Sequence, residues 1–133
     1  MRVFLDTNVL VSAFISRGLS SEIFRIIIKE HDLILSNVVI EELDRIFTVK
    51  LNINPEQVKE IIEYLRSFKI HKYSNEKCPV ELRDKDDEKV LASAIQSGSD
   101  VIVTGDKDLL DVRDKLEIKI LNPREFLELV KSS

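Results

Sequence analysis

Three apolar, strand-favouring residues, Val3-Phe4-Leu5, run directly into Asp6-Thr7-Asn8 and then into Val9, Leu10, Ala13 and Phe14 at helical spacing. No other stretch restricts the fold so tightly. A strand without polar alternation is buried on both faces, the pattern of a parallel sheet with helices above and below it. The abrupt passage from strand to helix leaves Asp6 at the carboxyl end of a central strand, the edge where ligands gather in open α/β sheets. A carboxylate in apolar surroundings is costly unless something satisfies it. Either Asp6, Thr7 or Asn8 caps the helix that follows, or the acid belongs to a site.

The remainder of the chain keeps the alternation. After a turn at Ser16-Arg17-Gly18, Ser20 or Ser21 can cap a helix carrying Ile23, Phe24, Ile26, Ile27 and Ile28 to about Glu30. Asp32-Leu33-Ile34-Leu35-Ser36 is a short buried strand, and Asn37 opens a helix reaching about Val49. Strand, helix pair, strand is a crossover unit, which favours parallel pairing. Asn54-Pro55-Glu56 puts Asn at the cap and Pro at the first helical position of a helix running to about Phe68. The least regular segment follows, over residues 69–84, with room for one short strand at about residues 70–73. A helix is expected over residues 87–97, stopped by Gly98, then strands over 101–104 and 118–121 with a short helical stretch near 109–112 between them. Pro123 starts the last helix. This pattern predicts a single domain over residues 1–133. Its fold class is α/β, a three-layer α/β/α arrangement around a mostly parallel sheet of four to five strands.

Composition narrows the function. The net charge of −4 argues against binding nucleic acid by charge alone. A nucleic-acid enzyme stays open, because an acidic metal site adds negative charge that bound cations offset. One cysteine, Cys78, with only His31 and His71 beside it, gives neither an internal disulfide nor a structural zinc site. No apolar run is long enough for a membrane span and Met1 to Leu10 lacks a signal-peptide layout, so the expected address is cytoplasmic, with no membrane partner.

Four acids come from four places. Asp6 and Asp106 each follow a buried strand, and share one sheet edge if those strands are parallel neighbours. In the helix after Ser36, the inward stripe of Val39, Ile40, Leu43, Ile46 and Phe47 is bordered by Glu42, whereas Glu41 faces solvent. The same projection on Val90, Leu91, Ala94 and Ile95 puts Asp87 near the middle of an inward stripe, with Asp86 and Glu88 toward its edges. Acids on inward faces are unusual without a partner. Helix capping accounts for Asp6, Asp87 or Asp106 singly. It does not account for Glu42, nor for the absence of any basic residue evidently placed to pair with the four. Clustered carboxylates cannot all ionise without a cation. Oxygen ligands suit Mg²⁺ or Mn²⁺, and such ions support phosphodiester hydrolysis.

These residues resemble the PIN-domain nucleases. Val3-Phe4-Leu5-Asp6-Thr7-Asn8-Val9-Leu10 is similar to that family's first motif, and Ser36 with Glu41-Glu42-Leu43 to the second, Glu42 being the matching acid. The run from Arg83 to Ala92 is similar to the third, where Asp87 aligns best and Asp84 and Asp86 are the alternatives. Val103-Thr104-Gly105-Asp106-Lys107-Asp108-Leu109-Leu110 is similar to the fourth. The resemblance covers almost the whole chain. It implies a Mg²⁺- or Mn²⁺-dependent ribonuclease with Asp6, Glu42, Asp87 and Asp106 as metal ligands and Asn8, Thr104 and Asp108 as supporting residues. It also implies an RNA substrate, a toxin role with a small antitoxin partner, and a homodimer. Two other readings compete. A catalytically silent PIN-like module binding RNA or protein would be expected to lose some of the four acids. An Asp-centred phosphoryl-transfer domain lacks support, because Asp6-Thr7-Asn8 has no second acid two residues after the first.

Overall fold

The computed structural model describes residues 1–132. Among the described residues, five strands and seven α-helices alternate along the chain. Strand β1 (Arg2–Leu5) leads into α1 (Thr7–Ile15) and α2 (Leu19–Glu30), followed by β2 (Asp32–Ser36). Next come α3 (Asn37–Arg45), α4 (Pro55–Leu65), β3 (Lys69–His71) and α5 (Lys85–Gln96). The chain closes with β4 (Val101–Val103), α6 (Lys107–Asp111), β5 (Lys119–Leu121) and α7 (Pro123–Lys131). The sheet order is β3-β2-β1-β4-β5, and every pairing is parallel. The expectation of a mostly parallel sheet therefore becomes an all-parallel one, inside the three-layer α/β/α architecture. No helix among the described residues is long and apolar enough to cross a membrane.

Strand β1 sits at the centre because, after Arg2, none of its side chains tolerates water: Val3, Phe4 and Leu5 are all fully buried. Its neighbours bring Leu33, Ile34 and Leu35 on one side and Val101, Ile102 and Val103 on the other, all buried. From β1 the chain winds outward through β2 to β3, then returns to lay β4 against the other side of β1. The strand order thus reverses between β1 and β4, and a crevice opens beyond their carboxyl ends at such a switch point. Register fixes what meets there. Leu5 lies opposite Val103, so Asp6 and Thr104 emerge side by side.

Local signals set most helix ends. Asn54 accepts from the Glu56 amide with Pro55 at the first helical position, and Asn122 and Glu125 form a reciprocal capping box ahead of α7. Gly98 ends the α5 region with φ +74°, a left-handed conformation that favours glycine. Several ends differ from expectation, three of them as follows. Helix α2 starts at Leu19 with Gly18 at its cap and no side-chain cap bond, so neither Ser20 nor Ser21 caps it. Beyond α3 the chain continues as a wide π turn, Ile46–Lys50, which buries Phe47. Helix α5 begins at Lys85, two residues before expectation, because Asp84 caps it by accepting from the Asp86 amide.

Candidate metal centre

Asp6 is the deepest acid, only 4% exposed. Its Oδ1 accepts from the Thr7 amide at 2.8 Å and its Oδ2 from the Thr104 hydroxyl at 2.7 Å. The two accounts of Asp6 are therefore not exclusive, since the same carboxylate caps α1 with one oxygen and reaches across to β4's end with the other. Burial pushes its carboxyl up from 3.8 to about 6, against the pull of the Thr104 and Thr7 hydrogen bonds, and the charges of Glu42 and Asp106 push the same way. Thr104, itself fully buried, is a hinge between two acids: its hydroxyl also accepts from the Asp106 amide at 3.0 Å. Asp106 caps α6 by accepting from the Asp108 amide at 2.9 Å.

Carboxylate oxygens of Asp87, Asp106 and Asp108 all lie within 4.8 Å of one another. Asp87 arrives there from the first turn of α5, whose apolar stripe of buried Val90, Leu91 and Ala94 docks on the core and turns the helix's acidic start toward β4. Its carboxyl is pushed up from 3.8 to about 8, first by burial, then by its hydrogen-bonding contact with Asp106 and by the charges of Asp106, Asp84 and Asp6. Like charges at contact distance favour the protonated form of Asp87. Asp84 caps α5 and Asp86 is exposed beside Lys89 at 3.8 Å, and neither is among the three acids whose oxygens converge.

Glu42 is half-buried on α3 while Glu41 is exposed, matching the helical projection. Glu42 is not one of the three acids whose oxygens converge, but its charge acts on Asp6. Asn8 is exposed on the first turn of α1. Two features escape a one-dimensional reading. Asp108 belongs to the converging trio and does not merely flank it. Arg83, just ahead of α5, ion-pairs with Asp108 at 2.8 Å, although its own side chain is 87% exposed. Among the described residues, the lack of an ion-paired basic partner therefore holds for the four expected ligands and not for Asp108. Charge runs within the third motif hint at Arg83, but only the fold brings it across 25 residues of sequence to Asp108.

Oxygen-only donors, spaced for a shared ion and carrying more negative charge than one exposed guanidinium offsets, fit a hard divalent cation. The buried Thr7 hydroxyl next to Asp6 has no hydrogen-bond partner among the described residues. Thr104→Val tests how the acids are held. Shape is kept, but Asp6 loses a donor and the Asp106 amide an acceptor. A loss of roughly 2–3 kcal/mol is expected, seen as a lower urea midpoint at unchanged slope. An unchanged midpoint would remove Thr104 from this role.

An open parallel sheet whose acids meet at the β1/β4 switch point defines the class, an α/β protein with a cluster of carboxylates at the carboxyl edge of its sheet. The PIN domain family model matches residues 2–108, and the chain belongs to that family. It is 30% identical to the uncharacterized protein MJ1680 of Methanocaldococcus jannaschii over 96% of this chain and 90% of that protein. In fold it is similar to VapBC-1 from nontypeable Haemophilus influenzae, with TM-score 0.64 at 19% identity, over 93% of this chain and 99% of that one. It is also similar to a toxin-antitoxin complex from Klebsiella pneumoniae, with TM-score 0.63 at 17% identity, over 91% of this chain and 97% of that one.

Proposed function

We propose that the chain is a divalent-cation-dependent ribonuclease that hydrolyses RNA phosphodiester bonds and serves as the toxin of a toxin–antitoxin pair. The observation that carries the reading is the convergence of Asp87, Asp106 and Asp108 within 4.8 Å at the switch point, beside buried Asp6. On this reading Asp6, Glu42, Asp87 and Asp106 hold Mg²⁺ or Mn²⁺, and Asn8, Thr104 and Asp108 support them. A divalent ion held by these residues would supply Lewis acidity for water activation and offset charge on the phosphodiester. The protein's own residues do the rest. Thr104 holds Asp6 and the Asp106 backbone in one register, so two ligands keep a fixed separation. Burial raises Asp6 and Asp87, leaving the acids short of full ionisation until a cation arrives. Arg83 tempers Asp108 from the solvent side.

Membership of the PIN family and the fold shared with a toxin-antitoxin complex support the toxin role. A small antitoxin and a second copy of the chain are the partners it implies. Exposed Ile15, Val49 and Leu51 offer apolar surface for such partners. The test is cleavage of structured and single-stranded RNA by metal-stripped protein. Products are expected only after Mn²⁺ or Mg²⁺ is added back. Protein that cuts neither RNA with either ion would overturn the ribonuclease reading.

A further inference from the structure

A polar groove of 340 Å³ opens beside Glu42, lined among others by Asn37, Arg45, Tyr73, Asp86 and Lys89. We infer that it is a subsite for one RNA nucleotide next to the cleavage site, with Tyr73 as the stacking platform for the base and Arg45 and Lys89 as contacts for the backbone phosphates. The inference rests on the ribonuclease reading for its direction, since Glu42 forms the wall shared by groove and site.

Tyr73 lies just past β3, in a loop outside the sheet and the helices, and its backbone is fixed from both sides. Asn37 Oδ1 accepts from the Tyr73 amide at 2.7 Å. Glu76 spans the turn, accepting from the Ser74 amide at 2.5 Å with one oxygen and bonding His71 Nε2 at 2.5 Å with the other. Asn75 takes φ +57°, a left-handed conformation that asparagine tolerates better than most residues. This much local ordering presents the half-buried Tyr73 side chain at a fixed place in the groove. Among the described residues its hydroxyl has no hydrogen bond and its ring stacks on no other aromatic ring, the ring pairs being Tyr64 with Phe24 and Phe68, Phe14 with Phe24 and His31 with Phe126.

The groove carries two cations, Arg45 and Lys89, beside three carboxylates, Glu41, Glu42 and Asp86. Arg45 is exposed on the last turn of α3 and has no ion pair among the described residues, whereas Lys89 is ion-paired with Asp86 at 3.8 Å. An aromatic face with one unpaired guanidinium and a loosely paired ammonium beside it matches single-stranded RNA, whose bases stack and whose phosphates need charge. The volume lies within the range of small-ligand pockets, roughly 300–1,000 Å³. An amphipathic helix from a protein partner would call for an apolar groove, and here Val38 is the one aliphatic side chain on the wall.

The experiment is fluorescence polarisation of a fluorescein-labelled uridine octamer with the full-length protein in Ca²⁺, with intact RNA verified by gel. Tyr73→Ala is expected to weaken binding roughly five- to hundredfold, and Tyr73→Phe to leave it near wild type. Arg45→Ala and Lys89→Ala should each lower the slope of log affinity on log salt by roughly 0.7. The chain has two tyrosines and no tryptophan, so Tyr64→Phe leaves Tyr73 as the lone tyrosine reporter. Its emission should be quenched by the unlabelled octamer, a signature that a purely structural tyrosine would not give. Unchanged affinity in Tyr73→Ala, equal loss in Tyr73→Phe, absent quenching, or no binding of the octamer at all would each overturn the subsite. Binding here needs no turnover, so a protein that stacks RNA on Tyr73 but never cuts it would refute the nuclease and leave the platform standing.

Discussion

Asp6→Asn protein is expected to cleave RNA about a hundredfold or more slowly than wild type, yet to unfold at a higher temperature when no divalent ion is present. The two effects have one cause. Burial holds the Asp6 carboxyl at about 6 instead of 3.8, so ionising it at pH 7 in the folded state costs roughly 3 kcal/mol. Asparagine removes that charge while its carbonyl still accepts from the Thr7 amide. The substitution leaves the Thr104 hydroxyl without its carboxylate acceptor, which costs about 1 kcal/mol. The balance is a gain of about 2 kcal/mol, several degrees in a domain of this size. Thermal unfolding in EDTA, beside an RNA cleavage assay with Mn²⁺, reads both. Lower stability together with retained cleavage would show that Asp6 is a structural cap only.

Wild-type protein freed of metal should lose stability from pH 5 to pH 8, and added Mn²⁺ should restore it mainly at the upper end. The sign follows from proton binding. Asp6 and Asp87, raised to about 6 and about 8, hold protons in the folded state at pH values where the unfolded chain has released them. Stability therefore falls as pH rises toward those values. Of the roughly 3 kcal/mol attached to Asp6, about 1–2 kcal/mol is lost between pH 5 and 8, and Asp87 extends the decline to about pH 8. Glu76, Glu88 and Glu125 are shifted below their ordinary 4.5 by hydrogen bonds. Their stabilising effect is complete above that value and does not shape this window. Mn²⁺ needs the ionised acids, so protons compete with it at pH 5. At pH 8, an excess of about a hundredfold over its dissociation constant contributes about 2.7 kcal/mol. Melting curves at both pH values, with EDTA and with Mn²⁺, measure the four corners. A stability that rises toward pH 8 without metal would contradict the assignment of these two groups.

The residues that were legible in the sequence are those whose neighbours are local. The unbroken apolar run Val3–Leu5 announced a central parallel strand, and helical projection separated Glu42 from Glu41 and turned Asp87 inward. Capping boundaries such as Asn54-Pro55 were equally plain. What stayed hidden depends on chain segments meeting in space. Nothing local distinguishes Asp108 as one of three converging acids, because α6 directs it only after Asp106 has capped that helix. Arg83 looks like one charge in a charged run until α5 brings it beside Asp108. The Leu19 start of α2 defeated a serine-cap reading, since Gly18 in extended backbone began the helix without a side-chain bond. The π turn at Ile46–Lys50 keeps an apolar helical pattern, so periodicity alone does not separate it from α3.

Calorimetric titration of Mn²⁺ into metal-stripped protein at pH 7.5 addresses the acids most directly, with Asp87→Asn and Asp86→Asn run beside wild type. Wild type should bind saturably and release protons, visible as a heat that changes with the buffer, because Asp87 holds its proton to about pH 8. Asp86→Asn should match it, since Asp86 is exposed and paired only loosely with Lys89, whereas Asp87→Asn should bind at least about tenfold more weakly. Wild type that takes up no Mn²⁺, or an Asp87→Asn protein that binds it equally well, would contradict the metal centre and return these acids to helix capping.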